Sequence, residues 1–200
     1  MSMWAIVPVK PLSLAKSRLA QVLSDAAREA LVRQMLEHTL QILREYRPSL
    51  DGTLVVTSDP RVLSLAVRHA AVPLAETGGD GLNAALAQAI GEAGRRHAQG
   101  ILVVPADLPM LSAIALREVL DQLPRAPGVV LVPDRRDEGT NALALRPCDV
   151  IEPAFGAGSF HRHWAAARKR NAHIVIVRNA ELALDVDTPE DLEQARHILS

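Results

Sequence analysis

Short apolar runs rich in β-branched residues alternate along the whole chain with longer segments of helical period, which restricts it to a layered α/β fold with a largely parallel sheet. The runs Met3–Val9, Thr53–Thr57, Ile101–Val104, Val129–Val132, Ala142–Leu145 and Ile174–Val177 are each too short for a helix and read as buried strands. Helices are predicted between them at Ser24–Arg47, Pro60–His69, Gly81–His97, Ala113–Leu123, Ser159–Asn171 and Pro189–Leu199. In the first of these, Ala27, Leu31, Met35, Leu36, Leu40 and Leu43 recur every three to four residues. They form one stripe for the sheet and leave Arg28, Glu29, Arg33 and Glu37 for water. Pro124–Gly128 reads as a loop within one domain, and no internal repeat or low-complexity tract breaks the pattern.

A chain of 200 residues, 48% of them hydrophobic, suits a single domain with a substantial core. Its 22 basic and 23 acidic residues give a formal net charge of -1, so it has no general attraction for nucleic acid or anionic lipid and any cationic site must be local. One cysteine, Cys148, excludes an intrachain disulfide, and with Pro147 and Asp149 beside it no basic neighbour activates the thiol. The start of the chain lacks a charged leader with a long apolar run, and no segment is apolar enough to span a bilayer, so a soluble cytoplasmic protein is expected. In the absence of a coiled-coil pattern or other interface signature, the expectation is a monomer or a loose homodimer.

Two acidic clusters carry the chemistry. Val104-Pro105-Ala106-Asp107-Leu108-Pro109 follows a strand, and Leu184-Asp185-Val186-Asp187-Thr188-Pro189 precedes the last helix. Asp107 alone has an ordinary reading as a turn residue ahead of Pro109. Asp185 and Asp187 are harder to dismiss, because Thr188-Pro189-Glu190-Asp191 already supplies a cap, a proline at the first helical position and an acidic first turn. Two residues apart on an extended segment, the two carboxylates point to one side, where their repulsion calls for a cation. Hard oxygen ligands in this number suit Mg2+, which prefers a few carboxylates plus phosphate oxygens and water. Asp107 is expected to join them in space.

Ligands in open α/β sheets collect beyond the carboxyl ends of the strands. The loop after the first strand, Pro8-Val9-Lys10-Pro11-Leu12-Ser13-Leu14-Ala15-Lys16-Ser17-Arg18, places Lys10, Lys16 and Arg18 there. Such a loop either surrounds a polyphosphate with charge-assisted bonds or is a solvated basic loop, and without a glycine-rich Gly-Lys-Ser/Thr run it is not a Walker loop. Gly139-Thr140-Asn141 brings a hydroxyl and an amide to the mouth of a strand. Phe155-Gly156-Ala157-Gly158-Ser159 opens a helix, as an anion seat or as a glycine turn capped by Ser159. Gly78-Gly79-Asp80-Gly81-Leu82-Asn83 is a third glycine loop, where Asp80 can cap and Asn83 can reach a base or ribose. His161 and His163, two apart on a helix, diverge and make no zinc site; either can touch an acidic substrate, or both are exposed.

Taken in order, Val9-Lys10-Pro11, Ala15-Lys16-Ser17-Arg18-Leu19, Asp80-Gly81-Leu82-Asn83-Ala84-Ala85, Pro105-Ala106-Asp107-Leu108-Pro109, Gly139-Thr140-Asn141, Phe155-Gly156-Ala157-Gly158-Ser159 and Asp185-Val186-Asp187-Thr188-Pro189 closely resemble the 2-phospholactate guanylyltransferases of deazaflavin coenzyme biosynthesis. That resemblance covers nearly the whole chain. It implies a single-domain, three-layer α/β/α nucleotidyltransferase fold with a mostly parallel mixed sheet, similar to the molybdenum-cofactor guanylyltransferases. It further implies that Asp107, Asp185 and Asp187 hold Mg2+ and act in catalysis with Lys10. Lys10, Thr140, Gly156 and Ser159 would bind a small phosphorylated carboxylic acid, Lys16 and Arg18 would meet the phosphates of GTP, and the Asn83 loop would lie near guanosine. The implied acceptor is 2-phospho-L-lactate, phosphoenolpyruvate or 3-phosphoglycerate, with release of pyrophosphate. The alternatives are nucleotidyl transfer to a sugar phosphate, an alcohol phosphate or a pterin, and a noncatalytic nucleotide-binding module, for which Asp185 and Asp187 would have no use.

Overall fold

The computed structural model describes residues 2–46, 50–77, 79 and 81–199, the last four as backbone alone. Arg47, the predicted end of the first long helix, and Gly78 and Asp80 of the third glycine loop lie outside the described residues. Among the described residues there are seven strands: β1 (Met3–Pro8), β2 (Gly52–Thr57), β3 (Val72–Ala75), β4 (Gly100–Val103), β5 (Gly128–Pro133), β6 (Thr140–Arg146) and β7 (His173–Ile176). They form one sheet in the order β3-β2-β1-β4-β6-β5-β7. All pairings are parallel except those that β6 makes with β4 and β5.

The helices are α1 (Asp25–Glu45), α2 (Pro60–Arg68), α3 (Leu82–Arg95), α4 (Ala113–Asp121), α5 (Ser159–Lys169), α6 (Ala180–Ala183) and α7 (Pro189–Leu199), with 3-10 turns at Leu12–Leu14 and Ser17–Gln21. Strand residues alternate between two cores, as a pleat buried on both faces requires. Ala5, Val7, Leu102, Val130 and Ala144 face Leu36 and Leu40 of α1, Leu65 of α2, Leu116 of α4 and Leu192 of α7. Ile6, Leu54, Val103, Leu131 and Leu143 face Leu86 and Ala89 of α3 and Phe160 and Ala167 of α5. Helices therefore cover both sides of the sheet, giving the three predicted layers.

Several details differ from the sequence reading. β3 was not anticipated because Pro73 interrupts a four-residue run, yet proline is tolerated on this edge strand, which pairs only with β2. The single turn α6 is set by Asn179, whose Oδ1 accepts from the N–H groups of Glu181 and Leu182 at 2.9 and 3.3 Å. Ser24 and Gly81 are N-caps and not helical residues, and α5 stops at Lys169. Arg28 was expected in water, but its side chain is only 11% exposed while its guanidinium pairs with Asp25.

Candidate active site

The reversal of β6 builds the site. Its start, Thr140, stands at the same edge of the sheet as the carboxyl ends of β1 and β4, so the loops after Pro8 and Val103 meet Thr140 and Asn141 there. Adjacent strand residues point to opposite faces. Thr140 turns toward α5, where its hydroxyl lies 2.9 Å from Nδ1 of His163. Asn141 turns toward α6, donating to the Leu182 carbonyl at 2.9 Å and to Asp185 Oδ1 at 3.4 Å.

The two acidic clusters are tied by backbone: the Val186 N–H donates to the Asp107 carbonyl at 3.1 Å. Val186 itself is fully buried, and this anchors the extended segment with Asp185 and Asp187 on its opposite side. Burial, then the nearby charges of Asp107 and Asp187, push the Asp185 carboxyl above its ordinary range. The helix cap makes no use of the Asp185 and Asp187 carboxylates. Asp191 Oδ2 accepts from the N–H groups of Asp187 and Thr188 and from the Thr188 hydroxyl, so α7 is capped independently, as its sequence requires.

Lys16 occupies the centre. Its ammonium donates to Asp107 Oδ2 at 2.6 Å and Asp187 Oδ1 at 2.8 Å, and the side chain is 8% exposed. Burial opposes the charge, but Asp107 and Asp187 outweigh it and hold the lysine above its ordinary range. The residue lies in the left-handed region with φ 54°, a conformation costing a non-glycine residue about 1–2 kcal/mol. Arg18, mostly exposed, reaches Asp187 only at 3.8 Å. Asp59 braces the start of this basic loop. Its buried carboxylate accepts from the Leu12 N–H at 3.0 Å while it also caps α2 and pairs with Arg61, which holds it below its ordinary range. Sequence reasoning missed that role, since an Asp ahead of Pro60 reads only as a cap.

A cleft of about 480 Å³ opens here, lined by Lys10, Lys16, Gly81, Asp107, Phe155 and Asp187 among others. Lys10 is exposed on its wall. The structure thus gathers Lys10, Lys16, Arg18, Asp107, Asp185 and Asp187 on one side, with Thr140 and the Phe155–Ser159 loop nearby on the α5 face.

In that loop Gly156 and Gly158 take φ +112° and +70°, which only glycine adopts without strain. The Arg162 guanidinium is wrapped by the carbonyls of Ala154, Phe155 and Ala157. Two amides at the start of α5 are engaged within the protein, Ser159 N–H on the Gly156 carbonyl and Phe160 N–H on that of Glu138. Asn83 clamps the same loop: its Oδ1 accepts from the Phe155 N–H at 2.8 Å and its Nδ2 donates to the Phe155 carbonyl at 3.2 Å. The amide expected near guanosine is therefore bound to the backbone of the Phe155–Ser159 loop. His163 is fully buried, correcting the exposed alternative. Cys148 is buried as well, and burial followed by Asp149 raises its thiol, so the structure gives it no nucleophilic character.

As a metal site the cluster has one clear mark: Asp107 Oδ1 is buried with no hydrogen-bond partner. Among the described residues no three His, Cys, Asp or Glu side chains converge closely enough to hold an ion alone. One or two carboxylates completed by phosphate oxygens and water fit this arrangement, and that is the usual environment of magnesium.

The sheet order, its single reversed strand and the acidic edge define a nucleotidyltransferase fold. A solved 4-diphosphocytidyl-2C-methyl-D-erythritol synthase superposes with a TM-score of 0.69 over 100% of this chain and 98% of its own, at 18% identity. The family described as guanylyl transferase CofC like matches residues 3–197, and the chain belongs to that family. The phosphoenolpyruvate guanylyltransferase of Sphaerobacter thermophilus is 48% identical over 190 residues, covering 95% of this chain and 90% of the relative. The 2-phospho-L-lactate guanylyltransferase of Methanothermobacter thermautotrophicus is 35% identical over 188 residues, covering 94% and 81%.

Proposed function

We propose that this protein transfers GMP from GTP to the phosphate of a small phosphorylated three-carbon acid, with magnesium, in deazaflavin coenzyme assembly. A phosphate oxygen of the acid attacks the α-phosphorus of GTP, the bond from that phosphorus to the β-phosphate bridge breaks, and pyrophosphate leaves. The observation that carries the reading is Lys16 held between Asp107 and Asp187, a buried cation among carboxylates at the cleft, in a chain that belongs to the guanylyl transferase CofC like family.

The acceptor phosphate is already a nucleophile, so no serine, cysteine or histidine needs activation. The difficulty is bringing two anions together, and positioning with charge neutralisation meets it. Lys16, Arg18 and Lys10 supply fixed or tethered positive charge along the cleft, while the Thr140 hydroxyl and the Phe155–Ser159 loop orient the acid. Magnesium, held by Asp107 with Asp185 or Asp187, neutralises phosphate charge when bound. The raised Asp185 carboxyl and the unpartnered Asp107 oxygen support that assignment.

The test is direct. The protein is incubated with GTP, magnesium and phosphoenolpyruvate, 2-phospho-L-lactate or 3-phosphoglycerate separately, with ATP and CTP as controls, and pyrophosphate and product mass are followed. A guanosine diphosphate-linked acid from one of them is expected. Release from CTP or ATP alone, or from none, overturns the reading.

A further inference from the structure

The Thr140 hydroxyl is the one polar side-chain group that β6 offers toward the acceptor loop, and its direction is fixed by His163 of α5. His163 Nε2 lies 2.8 Å from the Ala154 backbone nitrogen. A backbone N–H can only donate, so Nε2 is an acceptor and carries no proton. In a neutral ring the proton then sits on Nδ1, which lies 2.9 Å from Thr140 Oγ1 and donates to it. A hydroxyl that accepts there keeps its own hydrogen free to donate elsewhere.

The ring cannot readily adopt the other state. His163 is fully buried, and the Phe155 ring meets it edge-on with centroids 4.9 Å apart. Burial, followed by the neighbouring Arg162 charge, lowers its basicity to a pKa of about 4. A proton on Nε2 would face the Ala154 N–H donor against donor. The same residue thus reads the backbone of the loop that holds Gly156 and sets the polarity of the hydroxyl beside it.

We infer that His163 is a positioning residue that locks Thr140 as a hydrogen-bond donor toward the anionic end of the acceptor, so that the acceptor loop and the β6 hydroxyl are organised by one imidazole. This rests on the guanylyltransferase reading for its substrate, but the tautomer is a property of the protein alone.

The experiment has two arms. Nitrogen NMR of isotope-labelled histidine, with His163→Asn to assign the signal, reads the tautomer without substrate. A ring protonated on Nδ1 is expected, and a ring protonated on Nε2 overturns the inference even if the enzyme is a guanylyltransferase. In the second arm Thr140→Val, Thr140→Ser, His163→Ala, His163→Asn and Thr140→Val/His163→Ala are assayed with GTP and whichever of the three acids the wild type uses. Loss of a hydrogen bond to a charged group corresponds to roughly tenfold or more in affinity, so Thr140→Val and His163→Ala should each raise the acceptor KM about tenfold. The GTP KM should stay within about twofold, the double variant should be no worse than Thr140→Val, and His163→Asn, whose amide can donate near Nδ1, should recover most of the loss. Additive losses, or an effect on GTP instead of the acid, would overturn the positioning role. If His163→Ala does not fold, Thr140→Val against Thr140→Ser still decides: an unchanged acceptor KM in Thr140→Val overturns the inference. A wild type inactive with all three acids would overturn the proposed function and leave the tautomer result standing.

Discussion

The Val186 N–H donates to the Asp107 carbonyl at 3.1 Å, and through that one backbone bond two acidic segments far apart in sequence become a single cluster. Because the join is made by main chain, substituting the carboxylates leaves it in place. Asp187→Asn is therefore expected to lower kcat by about 100-fold or more, the size associated with losing one electrostatic contact to a developing charge, while stability changes by no more than about 1 kcal/mol. Steady-state kinetics beside a denaturant titration checks this, and equal losses in both would make the residue structural.

Lys16 is the counter-ion of that cluster. Removing it strands two carboxylates, one of them with a buried oxygen, so Lys16→Met should destabilise the protein by about 1–3 kcal/mol at neutral pH, between the costs seen for exposed and for fully buried pairs. The folded lysine keeps its proton above the ordinary value of 10.5, so its contribution is complete below that pH and is lost only on rising beyond it. Millimolar magnesium should raise the Tm of the variant more than that of wild type, and EDTA should abolish the difference. Thermal melts with and without each addition measure it.

Asn83 uses both ends of its amide on Phe155, which makes Asn83→Ala a test of what the residue does. Loss of two partly exposed hydrogen bonds should cost about 1 kcal/mol, raise the acceptor KM, and speed proteolysis within the Phe155–Ser159 loop. A rise confined to the GTP KM, with loop protection unchanged, would instead mark Asn83 as a nucleotide contact.

His163 gives the fold a pH dependence of defined sign. Its folded pKa of about 4 lies below the ordinary 6.5, so between these values the unfolded chain takes up a proton that the folded one refuses. The contribution of the neutral ring is full above pH 6.5, declines as pH falls, and is gone by about pH 4, a total of about 3 kcal/mol. Urea midpoints at pH 7, 5.5 and 4 should fall more steeply for wild type than for His163→Asn, whose side chain does not titrate.

The periodicity of α1 and the apolar runs make the layers legible, since β1, β2, β4, β5 and β6 are buried on both faces. The acidic and basic residues were legible too, because Asp185 and Asp187 are redundant for capping a helix that Thr188 and Asp191 already cap. Other features depended on tertiary partners. Lys16 read as a ligand for phosphate, but only the fold shows it between Asp107 and Asp187. His163 stands out in the sequence as a possible substrate contact, but its actual role is not legible there, since its partners Thr140 and Ala154 are supplied by a strand and a loop that the helix meets in space. Asp59 looks like an ordinary cap, and Asn83 like a contact for a base or ribose, until the loops they hold are seen.

The turn between β5 and β6 lies against the start of α5, where the Phe160 N–H donates to the Glu138 carbonyl, and Asp134 shapes it by accepting from the N–H groups of Arg136, Glu138 and Gly139. Lengthening or shortening residues 135–138 would shift the start of α5 and the glycine loop before it while every strand kept its neighbours. One turn can thus be edited to reposition that loop, with the sheet untouched.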